Sequence, residues 1–434
     1  MGDYSLMNKP AILGGPPAVT QPYEPDWPKI SDAEVLAVEN LLRQKVLSIY
    51  DRSGVIAEFE DAFAAYHGVR YAITHNAGTS ALHAAFFAVG IGPGDEVIAP
   101  TYTFLATVVP ILQCNGIPVL CDMDPETLAI DPNSIRQNIT PQTRAIVVTH
   151  MWGHPAEMDE ICAIAKQHNL PVIEDCSHAH GALYRGEKVG TIGDIGAFSL
   201  EGHKPIVAGE GGMLITNDQN YYERAILLGH FGDRAYQEVQ LPHNRRYVDT
   251  GFGHKYRMHP LAAAIANVQL PHLDEWNEMR RQNLDYFTEG LLLVSGIIPP
   301  VTRPHVTRGG YYGYKPVYEQ EMLDGLPIDL FIKALQAEGV RVKRPDSPPL
   351  HLLPLFQTGT DKLYHHGYPW ECREAKRNVV YQQGDLPVAE RIYNKLLSLP
   401  TFTNPAKELI DQYIEAFQKV AANATAIRTA LSNQ

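Results

Sequence analysis

Residues 170–181 read Leu-Pro-Val-Ile-Glu-Asp-Cys-Ser-His-Ala-His-Gly, and residues 196–212 read Gly-Ala-Phe-Ser-Leu-Glu-Gly-His-Lys-Pro-Ile-Val-Ala-Gly-Glu-Gly-Gly. The apolar run from Pro171 to Ile173 predicts a buried strand that delivers Asp175 to its carboxyl end. Open α/β sheets bind their ligands at the carboxyl ends of the strands. Lys204 follows in a segment whose glycines at 209, 211 and 212 allow backbone to approach a neighbouring group closely. The two segments together predict a cofactor cleft.

The pairing of a carboxylate with a lysine favours one kind of cofactor. Pyridoxal phosphate (PLP) requires a lysine amine to form a Schiff base and a carboxylate to keep its ring nitrogen protonated. Asp175 and Lys204 supply both groups. An isolated Asp and Lys are more often a turn cap and a solvated surface charge, so the interpretation depends on the pattern around them.

Outward from this cleft, strand and helix patterns alternate along the chain. Apolar runs predict strands at residues 71–74, 96–99, 118–121 and 145–149, and helical spacing follows each of them. Two further helices are predicted before the first strand, from Ser31 and over residues 55–66, and both are expected to flank the sheet. This alternation predicts an α/β fold with a mostly parallel, doubly wound sheet.

The chain divides by pattern into three parts. Residues 1–30 are rich in proline and glycine and predict an N-terminal arm. Residues 31–275 form the predicted large cofactor-binding domain, and residues 276–434 a smaller α+β C-terminal domain. Within the smaller domain the patterns predict a helix over 328–338, a strand over 340–342 and an amphipathic helix over 409–420.

Composition limits the partners and the compartment. The formal net charge of −13 argues against nucleic-acid binding, which leaves a basic footprint. No segment has the apolar length of a signal peptide or a membrane span, so we expect a soluble, cytoplasmic protein. Five cysteines without metal-ligand spacing are expected to be reduced thiols.

A second predicted ligand site is the turn after the strand at 71–74. There Gly78-Thr79-Ser80 opens a helix, and unpaired amides at a helix N-terminus attract phosphate. The alternative is ordinary helix capping by Thr79 or Ser80.

Residues 174–181, together with Phe198-Ser199, Lys204 and Gly209-Glu-Gly-Gly212, resemble the motifs of the DegT/DnrJ/StrS family of PLP-dependent aminotransferases. The resemblance extends to Gly384-Asp-Leu-Pro-Val-Ala-Glu390 near the C-terminus. It implies the PLP-dependent transferase fold type I and a homodimer. It also implies transfer of an amino group from glutamate or glutamine to a keto sugar or keto cyclitol.

The resemblance also implies roles for individual residues. Lys204 matches the lysine that binds PLP and shuttles the proton, and Asp175 matches the partner of the ring nitrogen. Gly78, Thr79 and Ser199 match residues that bind the phosphate of PLP. Phe104 matches an aromatic residue that covers the face of the ring, and His178 matches a residue near the phenolate oxygen. Lys255 stands where many members have an asparagine that reaches the cofactor phosphate of the neighbouring subunit. We therefore expect each active site to include a residue of the other subunit, with lysine in place of asparagine.

Acceptor recognition is predicted from hydroxyl-binding groups. The candidates are His351 and the tyrosines 311, 312 and 314, although these tyrosines also fit a strand that packs on the small domain. Residues 357–383 predict a lid or binding loop. His365 and His366 in that loop lack the spacing of metal ligands, and no metal site is predicted. The N-terminal arm resembles that of members acting on cyclitol-like rings, which favours a free cyclitol or sugar over a nucleotide sugar.

Two alternatives stay open. Related PMP-dependent sugar dehydratases carry histidine in place of the lysine, and His203 is the neighbour of Lys204. A non-catalytic PLP-binding regulatory protein is the other alternative, although such a protein would be expected to show an eroded site or an added DNA-binding domain.

Overall fold

The computed structural model describes residues 8–23, 27–358, 369–377 and 379–431. Its strands, in chain order, are β1 (Tyr71–His75), β2 (Glu96–Pro100), β3 (Ile117–Cys121), β4 (Thr143–Thr149), β5 (Val172–Asp175), β6 (Leu183–Tyr184), β7 (Glu187–Lys188), β8 (Ile195–Ser199), β9 (Gly212–Thr216), β10 (Ile297–Ile298), β11 (Val306–Thr307) and β12 (Val317–Tyr318).

A seven-stranded sheet with the order β1-β9-β8-β5-β4-β2-β3 forms the centre of the fold. Neighbouring strands from β8 to β3 pair in parallel, and β9 runs antiparallel between β1 and β8. All residues of β2, β3, β5 and β9 are buried. Continuous burial is typical of a sheet covered on both faces, and the predicted mostly parallel α/β sheet is confirmed.

The α-helices flank this sheet and build the C-terminal part of the chain. In chain order they are α1 (Asp32–Arg43), α2 (Gly54–His67), α3 (Gly78–Val89), α4 (Val109–Gln113), α5 (Pro132–Asn138), α6 (Met158–His168), α7 (Gln219–Gly229), α8 (Asp233–Glu238), α9 (Pro242–Arg245), α10 (Pro260–Gln269), α11 (Leu273–Leu291), α12 (Ile328–Ala337), α13 (Pro354–Gln357), α14 (Pro387–Tyr393), α15 (Lys407–Ala422) and α16 (Ala424–Leu431). Ser31 caps α1 in a capping box with Glu34, as expected for a Ser-x-x-Glu start.

Helix α11 links two apolar cores. Its first residue, Leu273, packs with the core beneath the sheet, whereas Leu284 and Leu291 pack in a second core with α12 and α15. The N-terminal arm lies on this second core: Val19 is buried there, and the Glu338 carboxylate accepts hydrogen bonds from the Ala11 and Ala18 amides at 2.7 and 2.9 Å. The arm therefore belongs to the packing of the C-terminal half.

The predicted strand at residues 340–342 is not formed. Val340 and Val342 are buried and Arg341 is exposed, as the alternation indicated. The segment finds side-chain partners instead of a strand, because the Tyr413 hydroxyl accepts from the Arg341 amide and the Gln336 amide group donates to the Val342 carbonyl.

Helix α1 is present, but the apolar residues that predicted it do not form a buried face in the protomer. Val35 and Leu42 are 56% and 50% exposed, and Leu36, Leu47 and Tyr50 are also more than half exposed. We call these five residues the N-terminal apolar surface. The residue of α1 that is buried is Glu34, which is held by its capping role and by Gln269.

Other expectations concern cysteines, membranes and the 357–383 loop. All five cysteines are free, and Cys114, Cys121 and Cys176 are buried. Within the described ranges, no helix has the length and apolar character needed to cross a membrane. Much of the loop, including His365 and His366, lies outside the described residues.

Candidate active site

A cavity of about 820 Å³ opens at the carboxyl edge of the sheet. Strands β4, β5 and β8 contribute their last residues, Thr149, Asp175 and Ser199, to its wall. The structure brings nine of the predicted site residues to this one cavity: Gly78, Thr79, Phe104, Asp175, His178, Ser199, Lys204, Tyr311 and Tyr312.

Lys204 is a buried amine that forms no ion pair with any residue the structure describes. Its side chain is 8% exposed, and no described residue forms a hydrogen bond or ion pair with Nζ, which lies 3.9 Å from the centre of the Tyr312 ring. Burial lowers the pKa of Lys204 to about 8, with Asp175 and Glu201 partly opposing the shift. Its neighbour His203 is exposed, so Lys204 is the buried base of this pair.

Asp175 is fixed by two hydrogen bonds at the end of β5. Its Oδ2 accepts from the Thr107 hydroxyl at 2.6 Å, and its Oδ1 accepts from the Ser177 amide at 3.0 Å. The carboxylate is 4% exposed. A carboxylate held this way has a fixed position and direction at the floor of the cavity.

The adjacent carboxylate, Glu174, serves the scaffold. It accepts from the amides of Gly190, Ile192 and Gly193 and pairs with His150 Nε2 at 2.9 Å. Glu174, His150 and the Cys176 thiol have donor atoms within 4.8 Å of one another, as a metal site requires. The carboxylate oxygens are already engaged, so this cluster locks β5 against the 190–193 turn.

The predicted phosphate turn packs directly against β8. A Cβ added to Gly78 would lie 2.7 Å from the Ser199 Cβ, so only glycine permits this approach. Ser80 takes the capping role, since its hydroxyl accepts from the Ala77 amide at 3.2 Å and donates to Asn76 Oδ1. Thr79, on the other hand, lines the cavity at the N-terminus of α3.

Three parallel rings stack along one wall. The ring of His178 packs against both Trp152 and Tyr312, with ring centroids at 5.1 and 4.1 Å, and the Trp152 and Tyr312 rings also contact each other at 6.0 Å. Burial, reinforced by the charges of Lys204 and Lys315, holds the pKa of His178 well below its usual value, and its Nδ1 has no hydrogen-bond partner among the described residues. The ring is therefore a neutral hydrogen-bonding group. Trp152 adopts a left-handed backbone (φ 54°), a conformation unusual for a bulky residue.

Phe104 and Tyr311 line the cavity but differ in their exposure. Phe104 is 53% exposed and stands at the cavity wall open to solvent in the protomer. Tyr311 is 2% exposed, and its hydroxyl donates to Asp285 at 3.0 Å. Of the predicted tyrosines, Tyr312 therefore presents the most ring surface to the cavity.

Three predicted residues are not part of this cavity. Tyr314 is fully buried in the second core and its hydroxyl bonds to Thr288. His351 is fully buried with both ring nitrogens engaged, by Thr101 at 2.7 Å and Glu390 at 3.0 Å. Neither is available to an acceptor in this cavity. Lys255 is exposed and lies outside the cavity of its own protomer.

Sequence reasoning did not identify several polar and aromatic residues of the cavity wall, among them Trp27, Trp152, Arg280 and Lys315. It also missed Thr107, which positions Asp175 through a hydrogen bond. Trp152 follows the carboxyl end of β4, and that position alone gives a signal. The others come from the arm, from a short helix and from the C-terminal half, and no local pattern connects them to the cleft.

The chain matches a known family over most of its length. The model of the DegT/DnrJ/EryC1/StrS aminotransferase family matches residues 28–366. The L-glutamine:2-deoxy-scyllo-inosose aminotransferase of Streptoalloteichus tenebrarius is 36% identical over 398 residues, which cover 89% of this chain and 91% of that protein. The GDP-perosamine synthase of Caulobacter vibrioides is 36% identical over 404 residues, which cover 91% and 99%.

A solved structure supports the same assignment. The aminotransferase from Psychrobacter cryohalolentis aligns with a TM-score of 0.80 at 29% identity, covering 93% of this chain and all of that one.

Proposed function

The chain belongs to the DegT/DnrJ/EryC1/StrS aminotransferase family, and we propose that it uses PLP to transfer an amino group from glutamine or glutamate to a polyhydroxy ketone. The observation that carries this proposal is the cavity that holds the buried Lys204 amine together with the fixed Asp175 carboxylate.

The residues of the cavity fit PLP. The unpaired Lys204 amine is the group that tethers it, and Gly78, Thr79 and Ser199 form a cradle for its phosphate at a helix N-terminus. The unpartnered Nδ1 of His178 is a hydrogen-bonding group for an oxygen of the cofactor. When bound, PLP supplies an electron sink for the charge that develops when a proton leaves the donor carbon.

The proton-holding and proton-transfer steps are assigned to residues of the protein. Asp175 holds the proton on the cofactor ring nitrogen, and Thr107 and Ser177 keep its carboxylate in place. Lys204 Nζ would remove the proton from the donor Cα and deliver a proton to the cofactor carbon C4′, which carries the transferred nitrogen. A pKa of about 8 suits this exchange, because a general base works best when its pKa lies near the ambient pH.

The acceptor is a keto cyclitol or keto sugar, and we favour one without a nucleotide. Two relatives of equal identity are named for the two classes, a 2-deoxy-scyllo-inosose aminotransferase and a GDP-perosamine synthase. The free-ring preference rests on the N-terminal arm, whose Tyr23 and Trp27 line the cavity. Strong discrimination between acceptors would come from polar groups of the site that bond to the ring hydroxyls, because a wrong substrate leaves those groups unpaired.

We further propose a homodimer with shared sites. The N-terminal apolar surface is left uncovered in the protomer, and the half-exposed Phe104 adds apolar area at the cavity mouth. Lys255 has no place in its own cavity, which supports a role at the cofactor phosphate of the partner. Its carbonyl and that of Tyr256 accept hydrogen bonds from Asn76, which places this segment beside the phosphate turn of its own protomer. A role of Lys255 in its own subunit is therefore the alternative that a subunit-mixing experiment tests.

The test separates the two half-reactions. Protein loaded with PLP is mixed with glutamine or glutamate, and PMP formation is followed by absorbance. The PMP form is then offered free keto cyclitols, free keto sugars and nucleotide-linked keto sugars. PMP formation with turnover of a free ring is expected. Failure of every amino-acid donor would refute the aminotransferase assignment, and turnover of nucleotide sugars alone would refute only the free-ring preference.

A further inference from the structure

A buried arginine in the wall of the cavity has no anionic partner in the part of the chain that the structure describes. Arg280, on α11, is 3% exposed and lines the cavity. No described residue forms a hydrogen bond or ion pair with its guanidinium, and Nη1 is shielded from solvent. Burial lowers the pKa of Arg280 to about 10, so the group stays charged at neutral pH. An unpaired buried charge is costly to the fold.

The position of Arg280 is defined by an indole ring that also contacts the lysine segment. The Arg280 Cζ lies 4.0 Å from the centre of the Trp27 ring, and Trp27 Nε1 donates to the Lys204 carbonyl at 3.0 Å. The guanidinium is therefore about one indole ring away from the Lys204 backbone. Stacking on the indole also fixes the plane of the guanidinium, as cation–π contacts do.

We propose that Arg280 binds the α-carboxylate of the amino-acid donor, an inference that rests on the proposed aminotransferase function. The donor carries this carboxylate on the same carbon as the amine that reacts. Arg280 and Lys204 line the same cavity, so a carboxylate that pairs with Arg280 holds the donor carbon in the cavity that contains the Lys204 amine. A planar guanidinium offers a two-point hydrogen bond that a carboxylate matches in geometry.

Other anions and other cations define the competing explanations. The diphosphate of a nucleotide-linked acceptor is a second anion that an arginine binds, but it belongs to the acceptor half-reaction. Lys255 and Arg257 are cations on the segment proposed to reach the partner's site, and either is a competing carboxylate ligand. The experiment assigns each of these a separate result.

The experiment compares Arg280→Met and Arg280→Lys with the control Arg281→Gln, all as PLP-loaded protein. Arg281 is the adjacent arginine, partly exposed and paired with Glu278. The donor half-reaction is measured with glutamine and with its α-amide, in which an uncharged amide replaces the α-carboxylate. Loss of a charge-assisted hydrogen bond lowers kcat/KM by about 10- to 100-fold. Arg280→Met is expected to lose this factor with glutamine and little with the α-amide.

A binding measurement gives a readout that does not need turnover. The analogue 4-carbamoylbutanoate is glutamine without its amino group, and its Kd is measured by titration calorimetry. Arg280→Met should weaken its binding at least 10-fold, Arg280→Lys less, and Arg281→Gln hardly at all. If binding depends on Arg280 but no donor yields PMP, the proposed function fails while this site stands.

Stability provides the last check, because Met keeps the packing on Trp27 and removes the unpaired charge. Arg280→Met should unfold at an equal or higher denaturant concentration than the parent. A folded Arg280→Met with unchanged glutamine selectivity and analogue binding would overturn the proposal. Equal losses in the acceptor half-reaction would assign Arg280 to an acceptor anion. Loss of carboxylate selectivity in Lys255→Ala or in Arg257→Gln, with selectivity kept in Arg280→Met, would assign carboxylate binding to the altered residue of that segment.

Discussion

Replacing Lys204 with methionine should abolish amino transfer and, in the cofactor-free protein, stabilise the fold at neutral pH. Lys204 is 8% exposed, and its amine has no ion-pair partner within the described ranges. Met fills a similar volume without a charge. The pKa of the amine falls from its ordinary value of 10.5 to about 8 because burial disfavours the charged form.

The size and the pH window follow from that difference. The pKa falls from 10.5 in the unfolded chain to about 8 in the folded one, and each unit of pKa corresponds to about 1.36 kcal/mol. Keeping the buried amine charged therefore costs about 3 kcal/mol of folding stability. Below pH 8 the folded and unfolded chains are both protonated, so the full cost is present. Between pH 8 and 10.5 the unfolded chain binds more protons than the folded one, so stability rises with pH and the cost disappears.

Urea unfolding of both cofactor-free proteins at several pH values from 7 to 9.5 measures this effect. Lys204→Met should be more stable by about 3 kcal/mol at pH 7, and the gap should narrow steadily above pH 8. The reasoning is refuted if the gap is independent of pH, or if the variant is less stable at pH 7. In the loaded protein, transamination near the parent rate would remove Lys204 from its proposed role, whereas His203→Ala should change the rate little.

Three more perturbations test other parts of the site. Asp175→Asn should fold normally, since its oxygen can accept from the Ser177 amide and its NH2 group can donate to the Thr107 hydroxyl oxygen. It should slow PMP formation on the order of 10²-fold or more, and retention of most of the rate would exclude the ring-nitrogen role. Gly78→Ala forces the turn away from β8 and should weaken PLP binding at least about 10-fold in an equilibrium titration, and unchanged affinity would place the phosphate elsewhere. Mixed Lys204→Ala and Lys255→Ala subunits should recover activity that neither variant has alone, and failure to recover it after proven subunit exchange would confine Lys255 to its own subunit.

Sequence reasoning predicted the fold well where one local pattern determines the structure. Strands β1 to β5 and the α3 turn were predicted within a few residues, because continuous apolar runs and glycine turns act over short distances. The strand predicted at 340–342 is absent although the apolar alternation is present, because two of its backbone groups bond to side chains, those of the nearby Gln336 and the distant Tyr413.

Within the site, motif spacing located the groups on the sheet edge and missed those that arrive from elsewhere. Asp175 and Ser199 end neighbouring strands of one sheet, and Lys204 lies in the loop that follows β8, so strand patterns and motif spacing together indicate their proximity. Arg280 comes from a helix more than seventy residues later, and only the tertiary fold brings it to the cavity. His351 was misplaced for the opposite reason, since a histidine near a predicted lid can equally be a fully bonded part of the interior.

The N-terminal apolar surface has a thermodynamic consequence. In the proposed homodimer a second chain would cover these five exposed side chains, and part of the free energy that keeps the protein folded would then come from association. Mass action then makes apparent stability a property of the solution as well as of the chain. The thermal midpoint should climb as protein concentration increases, and dilution alone should bring the protein closer to unfolding.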